Sequence, residues 1–170
     1  MMAKHLYLVR HAKTQRESID NTDFSRELAD RGLRDASLAG AYCKKMDYHL
    51  DMMISSPANR ALATAELMAQ QMDYDPENIH TNEELYMASI RTFLQVINQL
   101  KDEWNNVMVV SHNPSVTYLG EYVSDAEVGD MPTGAVMKVK FDIGSWAEVS
   151  QNIGVLEDYV SPRMIKDGLK

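Results

Sequence analysis

The sequence predicts a three-layer α/β/α fold in which a mainly parallel central sheet lies between helices. Short apolar runs alternate along the chain with segments whose apolar residues recur at helical spacing. Such alternation is typical of parallel strands joined by helical crossovers. The 170 residues, 45% of them hydrophobic, suffice for one well-packed core but fall short of two full domains. We therefore expect a single domain over residues 1–170.

The strands of this sheet are predicted from apolar runs that end abruptly in polar residues. Residues 6–9, 50–54 and 107–110 are the three runs of this kind, as expected for buried parallel strands. Toward the C-terminus, residues 135–141 and 144–149 alternate between apolar and polar side chains, which predicts a β-hairpin at the end of the sheet.

The helices between the strands are predicted from apolar spacing and from start signals. Residues 30–46 carry an apolar residue every three or four positions. Ser56 with Pro57, and Asn113 with Pro114, each resemble an N-cap followed by a proline in the first helical turn. A further amphipathic helix has an apolar stripe formed by Ile90, Phe93, Leu94, Ile97, Leu100 and Trp104.

Charge and cysteine content exclude several classes of function. Lys and Arg number 17 against 25 Asp and Glu, giving a net charge of −8, which argues against nucleic-acid and anionic-membrane partners. The single cysteine, Cys43, excludes an internal disulfide framework and is typical of a reducing compartment. Because no apolar run approaches the roughly 20 residues of a membrane helix and no secretory leader is recognisable, we expect a cytoplasmic protein.

Histidine and arginine side chains follow all three parallel strands. Arg10 and His11 end the first strand, Arg60 lies just after the second, and His112 follows the third. The carboxyl ends of parallel strands form one edge where ligands bind. Arginine forks match phosphate oxygens, and a neutral imidazole is a competent nucleophile, so the set predicts phosphoryl transfer. A metal site is the competing interpretation for two histidines, but Arg10 and Arg60 would repel a dication, and we expect neither metal nor organic cofactor.

These motifs resemble those of the histidine phosphatase superfamily, also called the phosphoglycerate mutase-like family. Residues 10–14 (RHAKT) are similar to its opening RHG signature, residues 55–61 (SSPANRA) to its second-arginine motif, and residues 111–114 (SHNP) to its second-histidine motif. The resemblance spans most of the chain in the right order, and it implies a phosphoglycerate mutase-like fold.

The resemblance also implies catalytic roles for individual residues. His11 corresponds to the nucleophile that becomes phosphorylated, Arg10 and Arg60 to the phosphate clamp, and His112 to the second histidine that donates to the phosphoryl oxygens. Glu84 falls where the family often carries its general acid.

The residues next to these motifs leave alternatives open. Glu83 offers a different alignment for the acid. Lys13, Thr14 and Asn113 are predicted to contribute to phosphate binding, with an ordinary surface lysine as the alternative for Lys13. Ala12 stands where the family has glycine, which would strain the turn if it required a positive φ.

The short chain favours an exposed site and a protein-borne phosphate. Little more than one helix separates the acid position from the second histidine. The segment of residues 23–32, with Leu28 and Gly32 in an L-x-x-x-G arrangement, is similar to that of small SixA-type phosphohistidine phosphatases. The expected activity is metal-independent hydrolysis of phosphohistidine on a partner protein. The alternatives are a phosphatase of sugar or nucleotide phosphates and a catalytically silent phosphate-binding module. Residues 131–134 lie either beside the site or in an ordinary loop.

Overall fold

A computed structural model describes residues 3–18 and 20–168 of the chain. The predicted domain ends at residues 1–2 and 169–170 therefore lie outside the described residues, and a single histidine-phosphatase domain over residues 1–170 stays a prediction. The elements, in chain order, are β1 (Lys4–Arg10), α1 (Asp30–Lys45), β2 (Met52–Ser55), α2 (Asn59–Gln71), β3 (His80–Thr81), α3 (Ile90–Asn98), β4 (Asn106–Ser111), α4 (Ser115–Ser124), β5 (Val136–Phe141), β6 (Gly154–Val160) and α5 (Pro162–Lys166).

Across the described residues, the strands form one sheet in the order β3-β2-β4-β1-β5-β6. The pairings among β3, β2, β4 and β1 are parallel, whereas β5 runs antiparallel to both β1 and β6. The predicted α/β architecture with a mainly parallel sheet and a C-terminal hairpin is thus confirmed. Within the described part of the chain, no helix has the length and apolar character needed to cross a bilayer.

Two helical layers cover the sheet because successive strand residues point to opposite faces. Leu6 and Leu8 of β1 belong to the apolar cluster that contains α3 and α4. Tyr7 and Val9, the alternate residues of the same strand, belong to the cluster that contains α1 and α2. α5 packs on α1 and adds to this second layer.

The second strand of the C-terminal hairpin lies later than the sequence predicts. Residues 144–149 contain a 3₁₀ turn at Trp146–Glu148, which begins with a capping box formed by Ser145 and Glu148, and β6 follows only at Gly154. Trp146 is fully buried, and its Nε1–H donates to the carbonyl of Trp104 at 2.7 Å. The apolar alternation that suggested a strand therefore reflects a turn packed onto the core.

The sequence also predicts the two proline-containing helix starts earlier than the structure has them. α2 begins at Asn59 with Ala58 as N-cap, and α4 begins at Ser115 with Pro114 as N-cap. No side chain caps either helix. Ser56, the predicted N-cap of α2, instead lies beside a histidine of the candidate site.

Candidate active site

Three parallel strands end side by side and bring the predicted site residues together. Arg10 pairs with Ser111 at the ends of β1 and β4. The ladder continues one residue further, because the amide of His11 donates to the carbonyl of Ser111 at 3.1 Å and the amide of Ser56 donates to that of Val110 at 3.0 Å. His11 and His112 thereby lie with their ring centroids 5.4 Å apart.

His11 has a buried imidazole whose orientation and neutral charge are fixed by its surroundings. Its side chain is buried, and Nδ1 lies 2.8 Å from the carbonyl oxygen of Ala12. Because a carbonyl only accepts, Nδ1 carries the proton and Nε2 keeps its lone pair. Burial lowers the pKa of His11 to about 4, and the nearby charges of Arg60 and Arg10 act in the same direction. The ring is therefore neutral at physiological pH.

His112 has one ring nitrogen paired and the other unpaired. Nε2 lies 2.7 Å from Oγ of Ser56. Nδ1 is buried, and it has no hydrogen-bond partner among the residues that the structure describes. Burial, followed by the charge of Arg60, lowers the pKa of His112 to about 3, so this ring is also neutral at physiological pH.

Both arginines of the candidate site donate to backbone carbonyls. Arg10 donates from Nη1 to the carbonyl of Met131 at 2.8 Å. Arg60 donates from Nη1 to the carbonyl of Asp23 at 2.6 Å and from Nη2 to the Asp23 carboxylate at 2.8 Å. The Nε of each arginine is buried and unpaired in the described chain. Together with Nδ1 of His112, these make three buried polar nitrogens whose natural complement is an anion with several acceptor oxygens.

Asp23 bridges two arginines and was missed by sequence reasoning. Its Oδ2 accepts from Arg60 and from the hydroxyl of Tyr86 at 2.8 Å, and its Oδ1 pairs with Arg26 at 3.1 Å. Burial alone would raise the pKa of Asp23, but the hydrogen bonds from Tyr86 and Arg60 and the charges of both arginines hold it below its ordinary value. The carboxylate is thus an internal counter-ion for the positive charge of the site.

Tyr86 and Arg26 are the other site residues that the sequence did not indicate. The ring of Tyr86 meets that of His112 edge to face at 5.6 Å and lies 5.9 Å from the guanidinium of Arg60. Arg26 donates from Nη1 to Oγ1 of Thr14 at 3.1 Å. The available signals were the D-x-x-R spacing of residues 23–26 and the position of Tyr86 two residues beyond the predicted acid.

Glu84, the predicted general acid, has no side-chain hydrogen bond or ion pair to the histidines or arginines in the described chain. It lies exposed in the 3₁₀ turn Glu83–Leu85, where its amide donates to Oδ1 of Asn82 at 2.9 Å. Within the described chain, neither Glu84 nor Glu83 forms a side-chain hydrogen bond or ion pair, and Tyr86 is the residue of this segment that reaches His112. An acid role for Glu84 stays a prediction.

Of the remaining predicted binding residues, Thr14 and Asn113 lie near arginines, whereas Lys13 does not contact one in the described chain. The Lys13 side chain is exposed, and Thr14 accepts from Arg26 as described above. Asn113 donates from Nδ2 to the carbonyl of Met131 at 3.3 Å, the same oxygen that receives Arg10. Residues 131–134 therefore border the site, and the amide of Gly134 donates to the carbonyl of His11 at 3.0 Å.

Ala12 fits its position without backbone strain. It is not among the described residues with positive φ. Its amide donates to Oγ1 of Thr64 at 3.0 Å, and Thr64 in turn donates to the carbonyl of Arg60 at 2.7 Å. The Ala12 methyl is buried in a small cluster with Leu28 and Ala36. The departure from glycine therefore adds packing and leaves the loop that carries His11 tied to the helix that carries Arg60.

Fold and site together define an α/β protein that holds two neutral histidines and two arginines at the carboxyl edge of its parallel strands. The family model of the histidine phosphatase superfamily (branch 1) matches residues 6–89. Over these residues the chain matches the histidine phosphatase superfamily, and its fold is phosphoglycerate mutase-like. Across the described residues, no group of three or more His, Cys, Asp or Glu side chains is arranged to hold a metal ion.

Other known proteins are similar to this chain over nearly its whole length. An uncharacterized protein of Mycobacterium tuberculosis is 29% identical over 165 residues, covering 91% of this chain and 100% of that protein. The structure of the protein histidine phosphatase SixA complexed with tungstate superimposes with a TM-score of 0.81 at 22% identity, covering 95% of this chain and 99% of that one. A mycobacterial glucosyl-3-phosphoglycerate phosphatase gives a TM-score of 0.70 at 15% identity, covering 92% of this chain and 98% of that one. At these identities, the two solved structures show a shared fold.

Proposed function

We propose that this protein is a metal-independent phosphatase that works through a phosphohistidine on His11. The observation that carries the proposal is the set of three buried, unpaired nitrogens, on Arg10, Arg60 and His112, around a neutral His11. A phosphoryl group would supply acceptor oxygens to all three. The two guanidinium groups provide fixed positive charge, which is the main requirement of a loose phosphoryl-transfer transition state.

The reaction follows from the orientation of His11. Nε2 attacks phosphorus in line, so that an N–P bond forms as the bond to the leaving atom breaks. The leaving group departs with the electron pair of that bond and takes a proton from solvent. Water then attacks phosphorus and gives up a proton to solvent, the N–P electron pair returns to Nε2, and phosphate is released. Arg10, Arg60 and Nδ1–H of His112 stabilise the charge that develops on the phosphoryl oxygens.

The proposed substrate is phosphohistidine carried on a partner protein. Between the Glu83–Leu85 turn and β4, the described chain contains only the nine-residue helix α3, so no long insertion covers the site. The neighbouring Asp23 and Phe24 are exposed enough for a protein surface to approach. A phosphorylated imidazole also demands little of a general acid, because imidazole is readily protonated near its ordinary pKa of about 6.5. That agrees with the exposed position of Glu84. The fold likeness to a protein histidine phosphatase is consistent with the proposal.

A second candidate is hydrolysis of small phosphoesters such as sugar or nucleotide phosphates. The observation that favours it is the fold shared with a glucosyl-3-phosphoglycerate phosphatase. An alkoxide leaving group needs a proton donor, and Glu84 or Glu83 would have to approach the site to supply it. This candidate therefore requires rearrangement of the turn at Glu83–Leu85, which the phosphohistidine substrate does not.

A substrate panel separates the candidates. Phosphohistidine peptides and histidine phosphotransfer proteins are compared with sugar and nucleotide phosphates by kcat/KM. His11→Ala serves as the inactive variant, and His49→Ala, at an exposed histidine paired with Asp47, serves as the control. We expect the highest kcat/KM for a phosphohistidine protein. A preference for a sugar or nucleotide phosphate would favour the second candidate, and phosphate binding without turnover of any substrate would indicate a silent binding module.

A further inference from the structure

We infer that Ser56 is a positioning residue that fixes the tautomer of His112, so that the imidazole N–H is on Nδ1 and available to the phosphoryl group. The inference rests on the proposed function for its catalytic consequence. The tautomer itself is a property of the free protein and is measured without substrate.

The fold places the Ser56 hydroxyl next to His112. Ser56 extends the β2–β4 ladder by donating its amide to the carbonyl of Val110, and His112 follows β4 on the same edge. Ser56 is fully buried, and its Oγ lies 2.7 Å from Nε2 of His112. The same Oγ accepts from the amide of Ala58 at 3.3 Å, at the start of the helix that carries Arg60. Two hydrogen bonds to backbone groups, one from the Ser56 amide and one to its Oγ, therefore hold the Ser56 side chain in place beside His112.

The hydrogen-bond inventory selects one tautomer of His112. If Nε2 carried the proton, it would donate to Oγ of Ser56, and the hydroxyl hydrogen would be left without an acceptor in the described surroundings. Nδ1 would then be a second unpaired group. If Nδ1 carries the proton, the Ser56 hydroxyl donates to Nε2, and the unpaired Nδ1–H is the one group left over. Because each buried unpaired polar group costs free energy, the arrangement with the fewer of them is favoured.

This tautomer gives Nδ1 of His112 the role of a donor. A neutral imidazole has one N–H and one lone pair, and a lone pair directed at a phosphoryl oxygen would repel it. His11 is set in the complementary way, since the Ala12 carbonyl holds the proton on Nδ1 and leaves Nε2 free to attack. One ring is thus a nucleophile and the other a hydrogen-bond donor, and each state is fixed by a single neighbouring oxygen.

The experiment compares Ser56→Ala with a control at the preceding residue. Ser55 is equally buried, but its Oγ donates to the backbone carbonyl of Ser56 and not to His112, which makes Ser55→Ala the matched variant. Nitrogen-15 spectra of histidine-labelled protein report which ring nitrogen carries the proton, with His112→Gln used for assignment. Ser56→Thr retains a hydroxyl and tests rescue.

We expect the His112 proton on Nδ1 in the wild-type protein and in Ser55→Ala, and a redistribution toward Nε2 in Ser56→Ala. kcat should fall about 100-fold in Ser56→Ala, with a much smaller change in KM, because the lost donor acts mainly on charge that develops in the transition state. Ser56→Thr should recover the wild-type tautomer and most of kcat.

A wild-type His112 with its proton on Nε2 would overturn the inference, as would an unchanged tautomer in folded Ser56→Ala. Should Ser56→Ala fail to fold, the wild-type spectrum alone decides the tautomer. If the wild-type tautomer and its change in Ser56→Ala are as expected but the protein hydrolyses no phosphorylated substrate, the proposed function fails while the role of Ser56 in fixing the tautomer of His112 stands.

Discussion

Lowering the pH from about 7 to about 5.5 should leave His11, the proposed nucleophile, almost fully neutral. Burial and the neighbouring guanidinium groups lower the pKa of His11 to about 4. At pH 5.5, such a group is about 97% neutral, whereas a histidine with the ordinary pKa of about 6.5 is only about 9% neutral. Because the shift is downward, the nucleophile is present above pH 5 and is lost only as the pH falls through about 4. At pH 5.5, the neutral fraction of His11 is thus about ten times that of a histidine with an ordinary pKa.

The assay measures both the titration and its catalytic consequence. Nitrogen-15 spectra follow His11 directly between about pH 3 and pH 8, with the denatured protein as the reference for an ordinary histidine. kcat/KM, which reports the free enzyme, is measured over the same range and corrected for the separately titrated phosphate of the substrate. We expect no loss of kcat/KM from His11 protonation between pH 7 and pH 5.5. A His11 midpoint near 6.5, accompanied by a roughly tenfold loss, would refute the placement of His11 in a buried, positively charged site.

Two substitutions test the proposed phosphate clamp and the packing of the loop that follows β1. In the wild-type protein, the guanidinium of Arg60 bonds Asp23 through both Nη atoms and has Nε free for a ligand. Arg60→Lys keeps the charge but loses this planar group. With about 1.5–3 kcal/mol for the one charge-assisted hydrogen bond that Nε can give, kcat/KM should fall about 10- to 10²-fold, whereas Arg91→Lys at an exposed position of α3 should have no effect. A loss below threefold at Arg60 would contradict a clamp role. Gly32→Ala places a Cβ 2.0 Å from the carbonyl oxygen of Lys13, so chemical denaturation should show a loss of about 2–4 kcal/mol in the free energy of unfolding. Stability equal to that of the exposed-helix control Arg34→Ala would mean that the loop after β1 does not pack there.

The sequence was sufficient to predict the edge at which the site forms. Arg10, Arg60 and His112 each follow an apolar strand, and parallel pairing forces those strand ends together. That inference needs only that the strands run parallel within one sheet, which the alternation of apolar runs with helical segments indicates. The histidine–arginine set was therefore predictable from the chain alone.

The loop residues of the site were not predictable in the same way. Asp23 and Arg26 lie in an irregular segment without periodicity, so the contact of Asp23 with Arg60 depends on tertiary contacts such as the isolated bridge between Thr14 and Leu28. Ser56 was recognised, but as a helix cap, because its residue type and the following proline fit that role. Its contact with His112 depends on strand pairing between β2 and β4, which local sequence patterns do not encode.

The wrong position predicted for the second strand of the hairpin has a related cause. Alternating apolar residues predict a strand when one face is buried, but a buried 3₁₀ turn with Trp146 and Val149 inward gives the same pattern over six residues. The capping pair of Ser145 and Glu148 was the local signal for the turn. Distinguishing the two required the tertiary contact between Trp146 and the backbone of Trp104.

The most direct test of the proposed mechanism is to trap the phosphorylated enzyme during turnover and locate the phosphoryl group by mass spectrometry under alkaline conditions. We predict a phosphohistidine on His11, formed at a rate that matches kcat or exceeds it, absent from His11→Asn, and formed more slowly but at the same residue in His112→Gln. Turnover without a phosphorylated intermediate, or phosphoryl transfer to a residue other than His11, would contradict the account.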